Sequence, residues 1–167
     1  NLNKIAKYLI LSDLVFYTGW GLISPIFAVF IINLIEGGSA FVVGMASGIN
    51  LIVRSLFRVY FGVKVDSKSE KHAYKFMIMG LFLSALVPFA YIFARLPWHI
   101  YILQAILGIS LAASTAGWTS IFSKNMDKGK ESTEWGIDAV AVGLGPGIAG
   151  MIGGIIVTYF SYTFVFV

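Results

Sequence analysis

The sequence contains no cysteine. Disulfide bridges, thiolate catalysis and cysteine-based metal centres are therefore excluded, and the redox compartment stays open. Charge is scarce as well. Only 12% of the 167 residues are Asp, Glu, Lys or Arg, against roughly 25% in soluble domains. Catalytic signatures are missing too. The chain has no G-x-S-x-G, no H-E-x-x-H and no phosphate-binding P-loop, so neither an enzyme nor a cofactor requirement is expected. His72 and His99 have no second His, Cys or carboxylate at ligand spacing, so no metal site is expected.

The composition is instead apolar: 58% of the residues are hydrophobic, where soluble domains hold roughly 45–50%. A soluble domain of this length lacks the interior to hide that excess, and disorder requires the opposite composition. At about 20 residues per span, the chain is read as an all-α polytopic membrane protein. Five complete spans are predicted, at residues 8–35, 40–63, 76–94, 98–122 and 134–159. A sixth starts at 161 and has only seven residues before the end of the chain, too few to cross a bilayer. Residues 1–167 are read as one transmembrane half-domain. The start at Asn1 and the end inside an apolar run are expected of a processed, truncated or incomplete chain. The first apolar stretch is too long for a signal peptide and lacks a small-residue cleavage site, so it reads as a retained span. Pro25 should kink the first span, and Pro97 is placed to begin the fourth.

The net charge of +4 would suggest nucleic acid in a soluble protein. The basic residues are not interleaved with solvent-facing aromatics, so no nucleic-acid partner is expected. They segregate by membrane side instead. Nine Lys/Arg fall in the N-terminus and the two long polar loops, 64–75 and 123–133, and only Arg95 falls on the other side. The positive-inside rule then places the N-terminus in the cytoplasm. The expected surroundings are a lipid bilayer, the plasma or bacterial inner membrane.

Ionisable side chains inside spans are costly and read as functional by default. Four occur: Asp13, Arg54, Arg58 and Asp138. At about 1.5 Å per residue, Asp13, Arg58 and Asp138 lie roughly 6–8 Å from the cytoplasmic end and Arg54 roughly 13–14 Å. This predicts a charge network of Asp13 with Arg58, and of Asp138 with Arg58 or Arg54. The plainer alternative puts Asp13 in a first helical turn and lets Arg58 extend to the interface. Arg54 is too deep to do so easily. Asn50, Arg54, Arg58 and Gly62 recur every four residues and draw a polar stripe down the second span. Asp13, Tyr17, Trp20 and Ser24 share a face of the first span, and Gln104, Gly108, Leu111, Thr115 and Trp118 one of the fourth. Aromatic walls with a few hydrogen-bonding groups suit a small-molecule site, and the same aromatics equally suit helix packing. In the fifth span, Gly143/Gly147 and Gly150/Gly154 have the spacing of close helix approach. Pro146 should bend that span.

Three segments carry a resemblance. Gly62-Val63-Lys64-Val65-Asp66 resembles the G-x-x-x-D start of the loop between helices two and three in the major facilitator superfamily, with Lys68, Lys71 and Lys75 in place of its basic cluster. Leu103 to Gly108 is similar to that family's helix-four pattern, with Gln104 where the family has Arg. Gly143 to Gly150, around Gly145-Pro146, is similar to its helix-five Gly-Pro pattern, with Ala141 and Ala149 standing where Gly is usual. The resemblance implies two six-helix halves around a midplane site, of which this chain is most of the first.

It also implies roles. Helices one and four line the cavity, which assigns Asp13, Tyr17, Trp20, Ser24, Gln104, Thr115 and Trp118 to a substrate site, and Arg54 of the second span joins them by its depth. Helix two faces the other half, which assigns Asn50, Arg58, Gly62 and Asp66 to gating, with Asp138, Gly145 and Pro146 of the fifth span. The expected function is secondary transport of a small solute by alternating access, with efflux one expected direction. The expected partners are the solute, the bilayer and a second six-helix half. The alternative is a non-transporting half-domain that packs as a scaffold in an oligomer. A channel lacks support, because no selectivity-filter loop is present.

Overall fold

The computed structural model describes residues 3–159. The start of the sixth span at 161 lies outside them. The described chain is all-α, with five helices: α1 (Lys4–Leu34), α2 (Ala40–Asp66), α3 (Glu70–Tyr91), α4 (Pro97–Asn125) and α5 (Glu131–Tyr159). All five are long and apolar enough to cross a membrane. The shortest, α3, has 22 residues, about 33 Å at 1.5 Å per residue, and so exceeds a hydrocarbon core of about 30 Å.

The helices outrun the apolar stretches that announce them. The predicted polar loop at 64–75 shrinks to residues 67–69, because α2 continues through Asp66 and α3 begins at Glu70. Hydropathy marks only the part of a helix that meets hydrocarbon, and the next turns stay helical where their ends are satisfied. Ser67 donates its backbone N–H to Val63 and its hydroxyl to Lys64. Glu70 opens α3 with a negative charge in the first turn, where the helix dipole favours it. At the start of α2, the Ser39 hydroxyl accepts the Val42 N–H at 3.4 Å as an N-cap. The preceding turn needs glycine at Gly37, which has φ +74.

The chain divides into two compact units. The first holds most of α1, the end of α4 and α5. Here α1 and α5 run parallel. Gly145 meets Leu14 and Thr18, Gly21 meets Pro146, and Gly153 meets Leu22 and Pro25. Of the four glycines picked out by spacing, Gly150 alone meets α1, at the Gly21 carbonyl. Gly143, Gly147 and Gly154 have open space where a Cβ would go. The buried stripe runs Glu134, Asp138, Ala141, Ala149 and Gly153, with Gly145 half-buried on the same line. A glycine-rich helix offers several registers four residues apart, and only the partner helix selects one.

The second unit, Phe30–Ile121, contains α2, α3 and most of α4. Helices α3 and α4 are antiparallel: Gly80 abuts the backbone of Ser110 and Ser114, and Gly117 abuts Ala73 and Met77. Gly108 of α4 brings α2 close at Asn50, Val53 and Arg54. Helix α4 is apolar all round and the most buried of the five, as expected of a helix enclosed on all sides. At the far end of this unit, the Glu36 N–H donates to the Arg95 carbonyl at 2.9 Å and ties the α1–α2 turn to the α3–α4 turn.

Candidate functional site

In the first unit, the α1–α5 contact sets two acids against each other. Asp138 is 93% buried, with 7% of its surface exposed, and its Oδ1 has no hydrogen-bond partner among the described residues. Asp13, half-buried on α1, lies close enough for the two carboxylates to interact electrostatically. One turn before Asp138, Glu134 is fully buried. Its Oε1 accepts the Asp127 N–H at 3.3 Å, and its Oε2 has no partner among the described residues. An apolar interior makes an unmatched carboxylate oxygen expensive, so this acidic stripe is the most costly feature of the unit.

Glu134 was not among the candidates picked out from the sequence, because it falls at a predicted span boundary. Its spacing of four from Asp138, continuing through Ala141 and Gly145, is the signal that identifies it. Above the acids, Tyr17 and Trp20 are half-buried and Ser24 is exposed. The Phe16 ring packs edge-on against both aromatics, at 5.4 Å from Tyr17 and 6.3 Å from Trp20. Gly145 and Pro146 belong to the helix contact itself.

In the second unit, Asn50 and Gln104 come together. The Asn50 amide donates to the Gln104 carbonyl at 3.1 Å. The Gln104 side-chain amide in turn donates to the Tyr91 hydroxyl at 2.9 Å. Gln104 and Tyr91 are buried, and Phe30 packs on the Tyr91 ring at 6.2 Å. Tyr91, which the sequence does not single out, thus completes a junction of α2, α3 and α4. The junction pairs a neutral amide with a neutral acceptor.

Arg54 is half-buried one turn after Asn50, Gly62 is half-buried, and Arg58 is exposed. Asp66 is the exposed last residue of α2. Thr115 donates its hydroxyl to its own helix at Leu111, 2.7 Å away, and Trp118 is buried. Asp13 and Asp138 belong to one unit, Arg54 and Arg58 to the other. Among the described residues, no group of three His, Cys, Asp or Glu could hold a metal ion.

The arrangement is two small polar constellations within apolar helices, one acidic and one of neutral amides. Neither contains a nucleophile and base in hydrogen-bonding register. The family model of the Major Facilitator Superfamily matches residues 9–167. No curated protein and no solved structure matches the chain.

Proposed function

The chain belongs to the Major Facilitator Superfamily, a family of secondary transporters, and on that premise we propose that it is the N-terminal half of a transporter that carries a small solute by alternating access. The observation that carries this reading is the buried acidic stripe of α5, Glu134 and Asp138, set against Asp13 of α1. A helix pair that served only packing would gain nothing from unmatched carboxylate oxygens in its contact. Ionisable groups in a span are kept where a solute or ion passes.

Asp13, Tyr17, Trp20 and Ser24 are the first unit's proposed solute contacts. Arg54, Thr115 and Trp118 are those of the second. Gln104 joins them as a positioning residue, since its side-chain amide is engaged with Tyr91 and its carbonyl with Asn50. Asn50, Arg58, Gly62 and Asp66 along α2, with Asp138, Gly145 and Pro146 on α5, are the proposed gating set. The partners in this reading are the solute, the bilayer and a second six-helix half.

The cysteine-free sequence makes single-cysteine labelling direct. Ser24→Cys sits at an exposed position of α1. It is expected to react with a membrane-impermeant maleimide from both faces of oriented membrane vesicles. Adding Asp66→Ala is expected to raise the rate from one face and lower it from the other. Reaction from a single face, indifferent to Asp66→Ala, overturns the proposal and favours a scaffold.

A further inference from the structure

Away from both constellations, a recess of about 210 Å³ opens at the turn between α3 and α4. Ala90, Phe93, Ala94, Trp98, Ile102 and Leu103 line it, together with His99. Sites for whole small molecules run to roughly 300–1,000 Å³, so this one is undersized for a solute. A linear hydrocarbon segment suits both its size and its apolar lining.

Its wall is held in place. The Trp98 and His99 rings stack at 3.8 Å between centroids. His99 Nδ1 accepts the Leu96 N–H at 3.1 Å and the Arg95 N–H at 3.4 Å, which fixes the turn. The rim faces outward, since Phe93 is 80% exposed and Trp98 53%. This turn lies where two membrane-spanning helices end, so the medium against that rim is lipid at the headgroup boundary. Aromatic side chains settle at that boundary.

Arg95 lies in the same turn and is exposed. It is the sole Lys or Arg in the two turns of this membrane face, residues 35–39 and 92–96. Its carbonyl is bonded to the Glu36 N–H, yet its guanidinium forms no ion pair among the described residues. Arg95 directly follows the lining residue Ala94, so a cation with no ion pair among the described residues lies in the turn that frames a chain-sized apolar recess. Those are the complements of a phosphate and an acyl chain joined in one molecule.

We propose that this recess seats one acyl chain of an anionic phospholipid whose phosphate pairs with Arg95. The test uses the whole chain in phosphatidylcholine vesicles that contain rising fractions of chain-brominated phosphatidylglycerol or chain-brominated phosphatidylcholine. The signal is Trp98 emission, isolated as the difference between the parent and Trp98→Phe. This local reporter does not see the basic loops of the other face. Half-quenching is expected at an about fivefold lower fraction of the anionic lipid, the ratio that one surface cation supplies. Arg95→Gln, at an exposed position that folding does not require, is expected to merge the two curves. Identical curves for the parent, or a preference that survives Arg95→Gln, overturn the proposal.

Discussion

The side-chain amide of Gln104 donates to the hydroxyl of Tyr91 at 2.9 Å, in a junction where both residues are buried. Because Gln104 also receives Asn50 on its carbonyl, three helices meet at one residue. Tyr91→Phe strips the amide of its acceptor and is expected to destabilise the chain by about 1 kcal/mol, within the range of polar contacts between membrane helices. Tyr91→Phe combined with Gln104→Leu removes both partners and is expected to recover most of that loss. Thermal unfolding in detergent reads both. Equal stability of Tyr91→Phe and the parent would show that the bond contributes nothing.

The α1–α5 contact predicts which glycines matter. A Cβ at Gly21 would come within 2.5 Å of Pro146, so Gly21→Ala is expected to cost about 1–3 kcal/mol by overpacking. Gly143 has nothing within 4 Å. Gly143→Ala is therefore expected to be neutral or to stabilise by up to about 1 kcal/mol through helix propensity. The opposite order of melting temperatures would show that the spacing, and not this register, describes the contact.

Asp138 supplies the sharpest separation of stability from function. Asp138→Asn replaces a buried carboxyl group that has an unmatched oxygen and an acidic neighbour. It is expected to stabilise the protein by about 1 kcal/mol, as substitutions at strained functional positions often do. A loss of that size in thermal unfolding would mean that the carboxylate is a structural partner.

Glu134 ties down the turn between α4 and α5. Its carboxylate accepts the Asp127 N–H, Gly129 takes φ +83, and Lys130 donates its N–H back to the Asp127 carbonyl. Glu134→Ala is expected to speed proteolysis within residues 126–130 several-fold, whereas Glu134→Gln keeps the acceptor and the parental rate. Equal cleavage of parent and Glu134→Ala would remove this role.

Much of the fold was legible because hydrophobic runs and turn residues report directly on it. Five spans and the start of α4 at Pro97 follow from local composition. Helix ends did not follow, since Lys64, Asp66 and Glu70 look like loop residues and yet sit on helical turns beyond the apolar stretch. The site was legible in part. Asp13 and Asp138 stand out as charges in apolar runs, and their depths, counted along each span, put them in one layer. Glu134 falls at a predicted span boundary and only its spacing of four from Asp138 marks it, whereas Tyr91 is silent because its partner lies on another helix. The working register of the glycines was silent for the same reason.

In the proposed transporter, Asp13 and Asp138 of the α1–α5 contact serve to move a solute and not to hold the helices together. The most direct measurement is the ratio of maleimide labelling rates of Ser24→Cys from the two membrane faces, with and without Asp138→Asn. The account predicts that Asp138→Asn shifts this ratio by about tenfold, roughly 1.4 kcal/mol between the two exposed states, while the protein stays folded. A ratio unchanged by Asp138→Asn would contradict it.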